Sequence, residues 1–171
     1  MKAVLIPLLA LACCVGSHAQ APAPTSSVTP DLATFNYRLQ PRQIAEHTWV
    51  IEGAVADFLP ANGCNIINTA FIATADGVVV INTGPSRLYG EQQRRAIAAV
   101  TSQPVRMVLN LNLHPDYFFG NQAWAGAPTQ ALAGSIAGMR AEGGGYADNL
   151  YRLCGDWMKG TEPSPAREAL E

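Results

Sequence analysis

From about residue 37 onward, apolar and polar positions alternate in a way that marks out elements one by one. "HTWVIEG" (47–53) is β-branched and alternating, which predicts a strand. "NIINTAFIAT" (65–74), then Ala75-Asp76-Gly77, then "VVVINTG" (78–84) predict a hairpin turned by Asp-Gly. The second arm is a continuous apolar run, the pattern of a strand buried on both faces. Thr83-Gly84-Pro85-Ser86 interrupts it and offers Ser86 as a helix N-cap for "RLYGEQQRRAIAAVT" (87–101), where Leu88, Ala96, Ile97 and Val100 form a partial apolar stripe. "VRMVLNLNL" (105–113) predicts another strand. "ALAGSIAGMRAEG" (131–143) predicts a helix ended by glycines, and "YADNLYRLCGDWMKGT" (146–161) a second one, with Tyr146, Leu150, Leu153 and Trp157 packing on the sheet. Strand, strand, helix, strand in this order is an α/β layered domain around a mixed sheet.

The two ends read differently. "MKAVLIPLLALACCVGSHA" has Lys2, an apolar stretch from Ala3 to Val15 and a small-x-small close at Ser17-His18-Ala19, the three parts of a secretory signal peptide spanning residues 1–19. Its apolar stretch is shorter than the ~20 residues that span a bilayer, so no membrane span is expected and the protein is expected in the periplasm or outside the cell. Residues 20–35 begin "QAPAPTSSVTP", the composition of an extended tether. The domain is expected over residues 36–162, and the polar, Pro-containing 163–171 as a frayed tail.

With 171 residues, 49% hydrophobic and 14% charged, the chain has the bulk of one globular domain. Export removes Lys2 from eleven basic residues, leaving ten against thirteen acidic ones, a net charge of −3. Scattered cations on a weakly acidic chain exclude nucleic acid as a partner. Cys64 and Cys154 are the two cysteines left, and an oxidising compartment permits a bridge between them. Two small buried hydrophobes are an equally good reading at this stage.

Chemistry concentrates in "LNLNLHPDYFFGN" (109–121), where His114-Pro115-Asp116 follows an apolar run and precedes Gly120-Asn121. Sites in layered α/β domains gather beyond the ends of strands. His-Pro-Asp taken alone is a weak signal, compatible with two side chains bonding across a turn. A hydrolytic zinc site places several ligands in a short loop as His-x-His-x-Asp-His, and two metals so held clamp an attacking hydroxide.

Set beside that pattern, residues 112–117 read Asn112-Leu113-His114-Pro115-Asp116-Tyr117. With "YRLQPRQIAEHTWVIEG", "NGCNIINTAFIATADGVVVINTGPS", "LHPDYFFGNQAW" and "YADNLYRLCGDWMKGTE", the chain resembles the metallo-β-lactamase fold superfamily from about Tyr37 to Glu162. The resemblance is nearest to the exported zinc metallohydrolases that accompany quinoprotein dehydrogenases. It implies an α/β (α+β) fold, the first half of an αββα sandwich, with zinc as cofactor and a small-molecule substrate. By the same resemblance His114 and Asp116 are metal ligands, Asp116 also the catalytic group that orients a nucleophilic water. Asn112 and Tyr117 stand where the family has ligand histidines, and Asn82 stands where it has a supporting Asp behind the ligands.

Those replacements weaken the site. A carboxamide oxygen is a poor zinc ligand, and a phenol must first lose a proton with a pKa near ~10. Asn82 keeps the shape of Asp without its charge. His47, the other histidine of the exported chain, opens a strand and is expected to face solvent. The superfamily's remaining ligands come from the second half of its sandwich, so the chain is expected to be truncated relative to it. The strands 78–82 and 105–113 are then expected to show an apolar face, to be covered by a second copy or another partner. The expectation is an exported hydrolase-family protein with a degraded zinc site. The alternatives are a working hydrolase on a reduced site around His114 and Asp116, or a non-catalytic periplasmic binding or accessory protein, with quinoprotein dehydrogenase association in either case.

Overall fold

The computed structural model describes residues 29–170; the expected signal peptide and most of the tether lie outside the described residues. Seven strands form one sheet in sequence order: β1 (Arg42–Ala45), β2 (Thr48–Ile51), β3 (Thr69–Thr74), β4 (Gly77–Ile81), β5 (Val105–Leu109), β6 (Thr129–Ala131) and β7 (Glu168–Ala169). β1 to β4 are antiparallel neighbours, and β4 to β7 run parallel. The switch occurs where α1 (Arg87–Ala98) supplies the crossover a parallel connection needs.

The predicted hairpin is present, with Thr74 opposite Gly77 and Ala75-Asp76 between them. Thr74 closes the turn, its Oγ1 donating to Gly77 O and accepting from Asp76 N. Ser86 caps α1 as expected: its hydroxyl accepts from Tyr89 N at 3.0 Å.

Register decides what is buried. Phe71, Val80, Val108 and Thr129 share one face, and there Ile97 of α1 and Trp124 of the 3-10 segment Phe119–Trp124 pack upon them. The opposite face carries the row Val50, Ala70, Ile81, Leu109 and, beneath it, Ile72, Val79, Met107, all only partly buried. The apolar run of β4 is therefore buried on one face and not, as its composition suggested, on both. The face expected to be open on strands 78–82 and 105–113 is apolar and partly exposed.

Four further expectations change. β5 ends at Leu109 rather than at Leu113, because Asn110 N–H donates to Gln130 O, beside the last β5–β6 pair, and Leu111 N–H turns to the Asn82 side chain. The two helices expected over 131–161 are one, α3 (Ala133–Cys154), followed by a 3-10 turn, Gly155–Met158. Gly143 does not end it: a Cβ there would lie 2.8 Å from Pro163, so the glycine lets the returning chain touch the helix. Tertiary contact through Ile136, Met139 and Leu150 outweighs the low helix propensity of the glycines.

The tail does not fray. Arg167 N–H donates to Thr129 O, Leu170 N–H to Ala131 O, and Ala166 is buried. The tether also ends earlier than expected, since Asp31 and Asn36 pair across a turn and Phe35 packs edge-on against Trp157.

Cys64 and Cys154 form a disulfide, with Cα atoms 6.0 Å apart, which settles the open alternative in favour of the bridge. It ties the segment before β3 to the end of α3, inside a cluster that includes Tyr37, Tyr89 and Trp157. Among the described residues no helix is long and apolar enough to cross a membrane.

Candidate functional site

The loop after β5 is held by its backbone and by two buried asparagines. Tyr117 O accepts from Thr83 N–H at 2.9 Å and from Asn110 Nδ2 at 3.1 Å. Asn121 Nδ2 donates to Asn110 Oδ1 at 2.8 Å and to Ser164 O at 2.9 Å. Its Oδ1 accepts from Thr83 Oγ1 at 2.9 Å and from Asn110 Nδ2 at 3.1 Å. All four polar valences of Asn121 are thus filled, in a residue that the sequence marks only as the end of the loop. Gly120 is required beside it, because a Cβ would sit 2.0 Å from Thr83 O. The signal that could have found this hub is a pair of asparagines, Asn110 and Asn121, at the two ends of the loop that carries His114 and Asp116.

Within that frame the five predicted site residues separate. His114 precedes the short helix α2 (Pro115–Phe118), is exposed, and lies against Tyr146 of α3 with ring centroids 6.0 Å apart. Asp116 is in the first turn of α2 and only 4% exposed. Desolvation pushes its carboxyl above the ordinary carboxylate range, against smaller opposing effects from its own backbone N–H and from His114. Asn112 is partly exposed, and its Oδ1 accepts from His114 N–H at 3.1 Å.

Asn82 follows β4 with φ of 58°, a left-handed conformation that Asn tolerates better than most residues. Its Oδ1 accepts from Leu111 N–H at 2.9 Å and its backbone carbonyl from Gln93 Nε2 at 3.0 Å. Asn82 and Tyr117 meet at one cleft of about 590 Å³, completed by Leu111, by Gly53 to Ala56 after β2, and by Ile66 to Asn68 before β3. His114, Asp116 and Asn112 are not among its walls. His47 sits at the turn between β1 and β2, exposed, 3.3 Å from Glu46, as expected of a solvent-facing residue.

Zinc does not fit these residues. A hydrolytic site needs about three protein ligands and an open position. Among the described residues no three His, Cys, Asp or Glu side chains come together. The two carboxamide oxygens that could have filled the gaps, on Asn112 and Asn82, already accept backbone N–H groups. Asp116, the one carboxylate beside His114, is buried, and desolvation raises its pKa.

No protein-family model and no curated protein matches the chain. Solved structures do. A metallo-β-lactamase of Pseudomonas aeruginosa, in its mono-zinc form, aligns with a TM-score of 0.55 at 16% identity, over 78% of this chain and 50% of that one. A metallo-β-lactamase of Erythrobacter litoralis aligns with a TM-score of 0.51 at 22% identity, over 77% of this chain and 49% of that one. A third, from Cronobacter sakazakii, is described by the motif HARLDQ and aligns with a TM-score of 0.51 at 19% identity, over 78% and 48% of the two chains. Set against His-x-His-x-Asp-His, that motif departs at the third and sixth positions; Asn112 to Tyr117 depart at the first and sixth. At these identities the likeness establishes the fold alone. The chain spans about half the length of the solved structures it matches, and over that span it has the metallo-β-lactamase fold.

Proposed function

We propose that this chain is an exported relative of the zinc metallohydrolases that accompany quinoprotein dehydrogenases, and that it binds a ligand without hydrolysing one. The observation that carries the reading is the separation of the loop's groups. The remaining imidazole faces α3, the remaining carboxylate is buried, and the cleft beside them is lined by Asn68, Asn82, Tyr117 and apolar residues. Placement of the protein in the periplasm rests on the three-part pattern of residues 1–19. The tie to quinoprotein dehydrogenases rests on the matching segments between Tyr37 and Glu162. The half-open row of Val50, Ala70, Ile81 and Leu109 is a surface for a second polypeptide layer, and another copy of the chain is the partner proposed.

A second reading, hydrolysis on a reduced site of His114 and Asp116, draws support from the Cronobacter sakazakii protein, a metallo-β-lactamase whose motif also departs at two positions. Native mass spectrometry of the chain from Gln20, purified with zinc and then dialysed, separates the two and counts copies in the same spectrum. The expected result is a metal-free homodimer whose mass distribution is unchanged in His114→Ala. One zinc or more per chain, lost in His114→Ala, would overturn the binding reading in favour of the reduced-site hydrolase. A monomer would remove the second copy as partner.

A further inference from the structure

A second cleft opens where α1 hands over to β5, at the opposite end of that strand from the loop that carries His114. It holds about 560 Å³, within the ordinary range of small-molecule sites. Ile97 of α1, Val105 of β5, and Trp124 and Ala127 beyond the loop give it an apolar floor. Thr101, Ser102 and Gln103, between α1 and β5, give it a polar rim.

Arg94 is the one charged side chain among the lining residues. Its guanidinium is held from two sides. Nη1 donates to Ala123 O at 2.9 Å, and the central carbon lies 5.7 Å from the centre of the Trp124 ring. The indole is pinned in turn, its Nε1–H donating to Gln93 Oε1 at 3.2 Å. An arginine fixed in this way has already lost much of the rotamer freedom that binding a ligand would take from it.

Its charge is nonetheless unanswered. Glu91, one turn back on α1, pairs with Arg87 at 2.8 Å, and among the described residues no carboxylate lies within ion-pair distance of Arg94. One of its five N–H bonds goes to Ala123 O, and among the described residues no other acceptor takes a second. A carboxylate is the group whose two oxygens match two parallel N–H bonds of a guanidinium. A phosphate dianion would meet a single cation, on the C-terminal half of a helix whose dipole opposes further negative charge. An ammonium would meet a charge like its own. The floor calls for hydrocarbon behind the head group.

We infer that this cleft binds organic monocarboxylates with an aliphatic tail, the carboxylate on Arg94 and the tail over Ile97, Val105 and Ala127. None of its residues lines the cleft at Asn82 or belongs to the zinc pattern, so the inference stands apart from the metal-free reading.

The test is a titration of the uniformly ¹⁵N-labelled chain from Gln20 with hexanoate, hexanamide and hexylamine, three probes with similar tails and different heads. Hexanoate is expected to shift the indole N–H of Trp124 and the backbone amides of Thr101 and Val105. The indole of Trp157, which packs in the other core cluster, is expected to stay in place. Hexanoate is also expected to bind more tightly than either other probe. Arg94 is exposed, so Arg94→Gln removes the charge without disturbing the core. It is expected to weaken hexanoate by about three- to tenfold, to the level of hexanamide. Hexanamide binding as tightly as hexanoate would reveal an apolar groove with no head-group site. Hexanoate shifts confined to Val55, Asn82 and Leu111 would put the acid in the other cleft, and no shift at Trp124 would leave this one without a ligand. Each of these overturns the inference on the wild-type chain alone, whatever the folding of the variant. Unchanged hexanoate affinity in a folded Arg94→Gln would overturn it as well.

Discussion

Replacing both Cys64 and Cys154 by alanine removes a cross-link between residues 90 apart in sequence. In the chain-entropy account, closing a loop of that length costs the unfolded state about 15 cal/mol/K, or about 4.6 kcal/mol at 25 °C. Two terms adjust the figure. Truncating two sulfurs in a packed cluster adds a small cavity penalty, while residual compactness of the unfolded chain reduces the entropic gain. A loss of about 3–5 kcal/mol is therefore expected, equivalent to a fall of about 10 °C in melting temperature. Urea denaturation of the oxidised wild type and the double alanine variant measures it. The slope of stability against urea is expected to rise in the variant, because an uncross-linked unfolded chain exposes more surface. A loss below about 1 kcal/mol with an unchanged slope would refute the reasoning, and would mean that the two cysteines act only as small buried side chains.

Two further perturbations probe the loop. Asp116 has a raised folded-state pKa, so its ionised form is penalised at neutral pH, and the penalty is relieved as pH falls through that raised value towards the unfolded one. Asp116→Asn is therefore expected to raise the melting temperature at pH 7, with the gain shrinking as pH falls towards about 4. A variant no more stable than wild type at pH 7 would contradict that assignment. Asn121→Ala leaves Asn110 and Thr83 short of partners and uncovers Ser164 O, and is expected to cost about 3 kcal/mol or more by urea denaturation. A cost under about 1 kcal/mol would show that water replaces the side chain without strain.

Much of the scaffold is legible in the sequence because its signals are local. The alternation in 47–53, the Asp-Gly turn and the cap at Ser86 each depend on a few consecutive residues, and each element forms where those residues place it. The glycines at 143–145 mislead for the complementary reason. Their propensity argues for a break, while the contact with Pro163 that favours glycine at 143 comes from a segment twenty residues further on. The tail misleads in the same way: its polarity suggests fraying, and distant partners, the strand β6, Asn121 on Ser164 O and the packing of Ala166, explain why it is ordered.

The site divides along the same line. By itself, the sequence determined which chemical groups the loop owns: one imidazole, one carboxylate, and carboxamide and phenol where a zinc hydrolase has imidazoles. Only the tertiary structure decided where they point. It turned His114 towards α3, buried Asp116, and brought Asn82 and Tyr117 to a common cleft with residues after β2 and before β3. It also decided that Cys64 and Cys154 bond, since a bridge requires two distant Cα atoms to come within 6.0 Å, a distance no local pattern encodes. Residue type sets what a group can do, and side chains far apart in sequence meet only when the sheet and its helices pack.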